Sequence, residues 1–81
     1  MAKFYFHLRD GVDHVLDPEG SDYADLERVK LAALAAARDL IAADAGAGLI
    51  DLRCRIEVEN ASGHVVHALE FEEAVTIKRA A

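Results

Sequence analysis

Eighty-one residues make room for one domain, residues 1–81, and a domain this small hides only about 60% of the surface its unfolded chain exposes. Fifteen acidic against nine basic side chains leave a net charge of −6, which repels polyphosphate backbones and makes double-stranded nucleic acid an unexpected partner. The lone cysteine, Cys54, excludes an intrachain disulfide and a zinc site built on cysteine.

Apolar residues make up 53% of the chain, but 16 of them are Ala, which bury little side chain. The core is therefore expected to be thin, and an isologous homodimer is the commonest way for such a domain to bury more apolar surface. The start, Met1 to Asp10, lacks the long apolar stretch of a signal peptide. The longest apolar run, Leu31 to Ala37, falls far short of the ~20 residues that span a bilayer. The expected setting is the cytoplasm, with no membrane association.

From Lys3 to Arg9 the residues alternate, Phe4, Phe6 and Leu8 on one side and Lys3, Tyr5, His7 and Arg9 on the other, the period of a half-buried strand. Asp10-Gly11 suits a two-residue hairpin turn, which would return the chain along Val12 to Leu16 and set His7 across from His14. Asp17-Pro18-Glu19-Gly20 places Pro second and Gly fourth in a type I turn, ending the hairpin. Ser21, Asp22 and Asp25 are all competent N-caps for a long helix from Leu26 to about Asp44. Its stripe of Leu26, Val29, Ala33, Ala36, Ala37 and Leu40 is expected to lie on the sheet. Leu31 and Leu34 fall outside that stripe and are candidate dimer contacts.

Ala45-Gly46-Ala47-Gly48 ends the helix, and Leu49 to Leu52 form a connection. Arg53 to Glu59 alternates again, with Cys54, Ile56 and Val58 inward. Asn60-Ala61-Ser62-Gly63 turns the chain into a return strand, His64 to Phe71, that places Val65, His67, Leu69 and Phe71 on one face. Glu72 to Ile77 reads either as a helical turn or as a last short strand. The order strand, strand, helix, strand, strand gives an α+β fold of ββαββ type, a mainly antiparallel four-stranded sheet with one long helix on one face. The helix is expected to make a right-handed crossover by default.

Phe4-Tyr5-Phe6-His7-Leu8-Arg9-Asp10-Gly11, then Asp17-Pro18-Glu19-Gly20, then Asp25-Leu26-Glu27 opening an Ala-rich helix, resemble a family of short alphaproteobacterial proteins catalogued only as a domain of unknown function. Glu57-Val58, Gly63 and the strand leading to Phe71 and Ala74 resemble that family's closing hairpin, and Val12 and Glu70 depart from its pattern. The resemblance implies the fold and a bacterial cytoplasmic setting, and carries no activity or functional residues. A looser similarity, of topology alone, exists to the antitoxin half of HicA/HicB-type toxin–antitoxin pairs.

No nucleophile–base pair, paired acid and base, phosphate-cradling glycine loop or cofactor fingerprint stands in the sequence, so neither an enzyme nor a cofactor is expected. Cys54 reads as a small inward hydrophobe, and His67 as an ordinary strand histidine. His7 and His14, if opposed, supply two metal ligands where four are usual, so no metal site is assigned and metal or small-ligand binding is an alternative reading. The bare sheet face gathers Lys3, Tyr5, His7, Arg9 and His14 with Arg53 and Arg55, diluted by Glu57, Glu59 and Glu70. That face is the candidate interaction surface. The expected role is a non-enzymatic protein-interaction or regulatory module acting as a homodimer, with an antitoxin-like inhibitor as a further alternative.

Overall fold

A computed structural model describes residues 1–11 and 13–80, and the expectation for Val12 lies outside them. The elements in chain order are β1 (Ala2–Arg9), β2 (His14–Val15), β3 (Ser21–Tyr23), α1 (Leu26–Ala47), β4 (Arg55–Asn60), β5 (Val65–Glu70) and α2 (Phe71–Ala74). The sheet runs β2-β1-β4-β5 with every described pairing antiparallel, and β3 also pairs with β1. This is the expected α+β arrangement with one added strand. β3 takes Ala2 to Phe4 and β2 takes Leu8 and Arg9, so two short strands share one edge of β1 while β4 holds the other.

Ser21 and Asp22 thus belong to a strand, and of the three candidate caps Asp25 alone begins α1, its carboxylate accepting from Arg28 N–H at 2.9 Å. β3 and β4 run in the same sense on either side of β1, which makes β3–α1–β4 a split β-α-β unit. The helix reaches Ala47, slightly beyond expectation, and stops where Gly48 turns left-handed at φ 92°. Gly48 N–H donates to Ala45 C=O and Leu49 N–H to Asp44 C=O, which is the Schellman arrangement.

The core joins Val29, Ala33, Ala37 and Ile41 of α1 to Ile56 and Val58 of β4 and to Phe71 and Ala74 of α2. Contacts four residues apart replace the expected stripe at its ends: Ile41 is buried, whereas Leu26 and Leu40 are exposed. Ala33 and Ala37 project almost nothing, which lets the helix backbone come close to the sheet. Phe4, Phe6 and Leu8 pack at the margin of this core, and Tyr23 of β3 meets Phe4 and Phe6 with ring centroids 6.3 and 5.6 Å apart.

One further expectation is corrected and one open alternative is decided. Val65 lies across from Glu59 on the outer face and is 54% exposed, while Val66 packs toward the core. A bulge at that point inserts one residue into β5, and one residue of slip exchanges the faces. Phe71 to Ala74 resolve as a helical turn, α2, whose Glu70 N–H is taken by the Glu73 carboxylate at 3.0 Å.

Gly20 occupies φ +71°, and a β-carbon there would lie 2.9 Å from both Phe4 O and Tyr5 Cε2. Gly20→Ala is expected to lower the unfolding free energy by about 2 kcal/mol, combining left-handed strain with a backbone clash. Urea denaturation of the two proteins measures it.

Candidate interaction surface

Because side chains alternate along a strand, α1 covers the face carrying Phe4, Phe6, Ile56 and Val58 and leaves the other uncovered. The register sorts the uncovered side chains into rows: Lys3 across from Asp22, Tyr5 from Glu59, His7 from Glu57, and Arg9 from both His14 and Arg55. Arg55 in turn faces Glu70. Six of the seven candidate residues lie on these rows. Arg53 does not, for β4 begins at Arg55 and Arg53 sits in the preceding turn. There its guanidinium grips Asp51 through two 3.0 Å hydrogen bonds. That pairing raises the Arg53 pKa and holds the Asp51 carboxyl down to about 2.

His7 is not an exposed imidazole. It is 7% exposed, its Nε2 is 2.8 Å from Glu59 Oε2, and its Nδ1 accepts the Asp17 N–H at 3.1 Å. A backbone N–H aimed at Nδ1 requires a lone pair there, which assigns the proton to Nε2 and makes His7 the donor to Glu59. Nor does His7 face His14. The hairpin loop spans positions 10–13, four residues instead of two, with Asp10 N–H donating to Asp13 C=O and Asp13 N–H to the Asp10 carboxylate. The longer loop moves His14 across from Arg9, and the two-histidine ligand reading loses its geometry. Among the described residues no three His, Cys, Asp or Glu converge to hold a metal ion.

Glu57 and Glu59, at the centre of this face, are each paired with groups from β1. Glu57 takes Arg9 Nε on one carboxylate oxygen and Arg55 Nε on the other, the latter at 3.1 Å. Burial acts to raise the Glu57 carboxyl, but the two arginines outweigh it and hold it below the ordinary range. By alternation alone Glu57 and Glu59 only dilute a basic patch. The structure makes them the clamps that fix it. Their places on the alternating strand were visible, and their partners were not, because partners depend on cross-strand register.

Asp17 is the other residue whose part was missed. On the edge of β1 away from β4, no strand among the described residues fills the gap between β2 and β3, and there the Asp17 carboxylate accepts Phe6 N–H at 3.2 Å. Its other oxygen accepts Gly20 N–H at 3.0 Å and Glu19 N–H at 3.3 Å, closing the turn over Tyr5. Burial opposes ionisation of Asp17, but the N–H donors of Gly20, Phe6 and Glu19, with His7, bring its carboxyl below the ordinary value.

On the helix, Leu31 is 67% exposed as expected of a self-association contact. Leu34 instead packs partly against the intramolecular core. On that side of the helix α2 packs beside α1, where Arg38 Nε donates to Ala74 C=O at 2.8 Å. Cys54 lies at the edge of the core, and burial with Asp51, Asp10 and Asp44 pushes its thiol up, away from the nucleophilic thiolate. His67 lies across from Val58 on the helix side of the sheet.

The family model for DUF6894, a domain of unknown function, matches residues 3–72, the span from the start of β1 into α2. The chain belongs to this family. No curated protein and no solved structure matches it. The matched span of this DUF6894 domain includes every row of the uncovered face, the Asp17 turn and the helix that covers the other side. No helix among the described residues is long and apolar enough to cross a membrane.

Proposed function

We propose that this DUF6894 domain is a non-enzymatic protein-interaction module of the bacterial cytoplasm, working as a homodimer and offering its uncovered sheet face to a protein partner. One observation carries the reading: α1 covers a single face of the sheet, and the other displays Tyr5, Arg9, Arg55, Glu57 and Glu59, with His7–Glu59 and Arg9–Glu57 paired across strands and Arg55 paired to Glu57 along β4. Side chains held before docking lose less conformational freedom on association. Charge that changes sign along the face, cationic at Arg9 and Arg55 and anionic at Glu59, favours one docking register.

The sheet edges speak against recognition by strand addition. One of them consists only of the short β2 and β3, with Asp17 filling the gap between them, and the other is blunted by the bulge in β5 and by the Glu73 carboxylate on Glu70 N–H. The raised thiol of Cys54 supports the non-enzymatic reading for the one cysteine. Exposed Leu31, a core of only eight buried apolar residues among those described, and a radius of gyration of 13.5 Å, against about 12 Å for a compact chain of this length, support self-association.

Crosslinking in the native cell tests docking. A partner captured by the wild type and lost by the Tyr5→Ala/Arg55→Ala variant supports it, and capture undiminished by that double substitution ends it. Light scattering tests the dimer: a doubled mass that Leu31→Glu halves is expected, and a monomer mass for the wild type removes that half of the proposal.

A further inference from the structure

At the hairpin end of the uncovered face, β2, β1 and β4 bring His14, Arg9 and Arg55 into one row. Like charges directly opposed on neighbouring strands repel, and Glu57 offsets the repulsion between Arg9 and Arg55 by bonding both ε nitrogens. One carboxylate against two guanidiniums leaves a positive charge uncompensated within the trio. The terminal nitrogens of both arginines have no hydrogen-bond partner among the described residues, and the side chains are only 26% and 35% exposed. Beside them opens a pocket of about 150 Å³ lined by Arg9, Gly11, Asp13, His14 and Arg55. With each guanidinium pinned at Nε, the two forks are positioned before any ligand arrives.

We propose that this pocket is an oxyanion site that takes a phosphate monoester group between the terminal guanidinium nitrogens of Arg9 and Arg55, with His14 at its side. A planar carboxylate repeats what Glu57 already supplies, whereas a phosphoryl group presents three terminal oxygens to donors reaching in from β1, β2 and β4. Its charge of about −1.5 to −2 near neutral pH also answers two arginines better than a monoanion does. Asp13 at the rim works against binding, and Glu70 across from Arg55 lies at the far end of the row. The site goes beyond the docking role, for it needs neither a protein partner nor a dimer.

The experiment titrates the isotopically labelled full chain with inorganic phosphate at constant ionic strength, following the arginine Nε–H resonances by NMR. Saturable shifts are expected at Arg9 and Arg55 and none at Arg53, which Asp51 already holds. Arg55→Gln and the exposed-site variant His14→Ala each weaken binding, the former about tenfold, as loss of a charge-assisted contact predicts. Asp13→Asn strengthens it. Core amide resonances report that each variant is folded. Parallel titrations with glycerol phosphate and with a phosphoserine peptide separate a small-molecule source from a phosphorylated protein, the tighter arm naming the source. Equal drift of all the arginines, or unchanged binding in Arg55→Gln, overturns the proposal.

Discussion

Phe71→Ala is expected to lower the unfolding free energy by about 4 kcal/mol, the largest effect of any single substitution considered for this chain. Phe71 is 2% exposed and is the bulkiest of its fully buried side chains. It opens α2, donates its N–H to Cys54 C=O at 2.9 Å, and lies in the core shared by α1 and β4. The helix wall of that core contains Ala33 and Ala37, which have no side chain to swing into a void. The cavity therefore stays open, and its cost adds to the lost transfer energy. A domain of this length has a total stability of about 4–12 kcal/mol, so the variant stands near the folding threshold. Phe71→Leu, which keeps most of the volume, is expected to cost about 1–2 kcal/mol. Chemical denaturation of the two variants against the wild type measures both, and equal midpoints for Ala and Leu would refute the cavity argument.

Asp17→Ala is expected to cost about 3 kcal/mol. One carboxylate accepts three backbone N–H groups, and its removal leaves Phe6 N–H without an acceptor at the gap between β2 and β3. Asp17→Asn separates the two parts of that loss. An amide oxygen in the place of Oδ1 still receives Gly20 and Glu19, while an NH₂ in the place of Oδ2 sets a donor against Phe6 N–H, so an intermediate cost is expected.

The same group gives stability a pH dependence. The folded carboxyls of Asp17 and Glu57 both lie below their ordinary values of 3.8 and 4.5, so below about pH 5 the unfolded chain binds more protons than the folded one. Their stabilisation is complete above the unfolded values and is lost as pH falls through the folded ones. Urea midpoints measured from neutral pH down to about pH 3 are expected to drop in the wild type and to drop less steeply in Asp17→Asn, which keeps the shares of Glu57 and Asp51 but loses that of Asp17. Parallel curves for the two proteins would show that Asp17 contributes nothing to the acid response.

Much of the framework was legible in the chain. The alternation of Phe4, Phe6 and Leu8 names the covered face of β1, and Ile56 and Val58 do the same for β4. An Ala-rich stretch without interruption sets α1, and Gly48 stops it. The candidate surface was legible only as membership of a face. Whether Arg9 is a free cation or one arm of a clamp depends on Glu57, a residue 48 positions away in the chain. The two-residue turn expected at Asp10-Gly11 shows how narrow that margin is, for two more loop residues exchange His7 for Arg9 as the neighbour of His14.

Local periodicity thus determined β1, α1 and β4, the covered face of the sheet and the helix end, since a period of 2 or 3.6 and a left-handed glycine are properties of neighbouring residues. The tertiary structure alone decided which carboxylate meets which cation, that His7 is buried with a lone pair on Nδ1, and that Asp17 completes an edge where no strand reaches. Those outcomes depend on register and loop length, and side chains far apart in sequence become partners only after both are set.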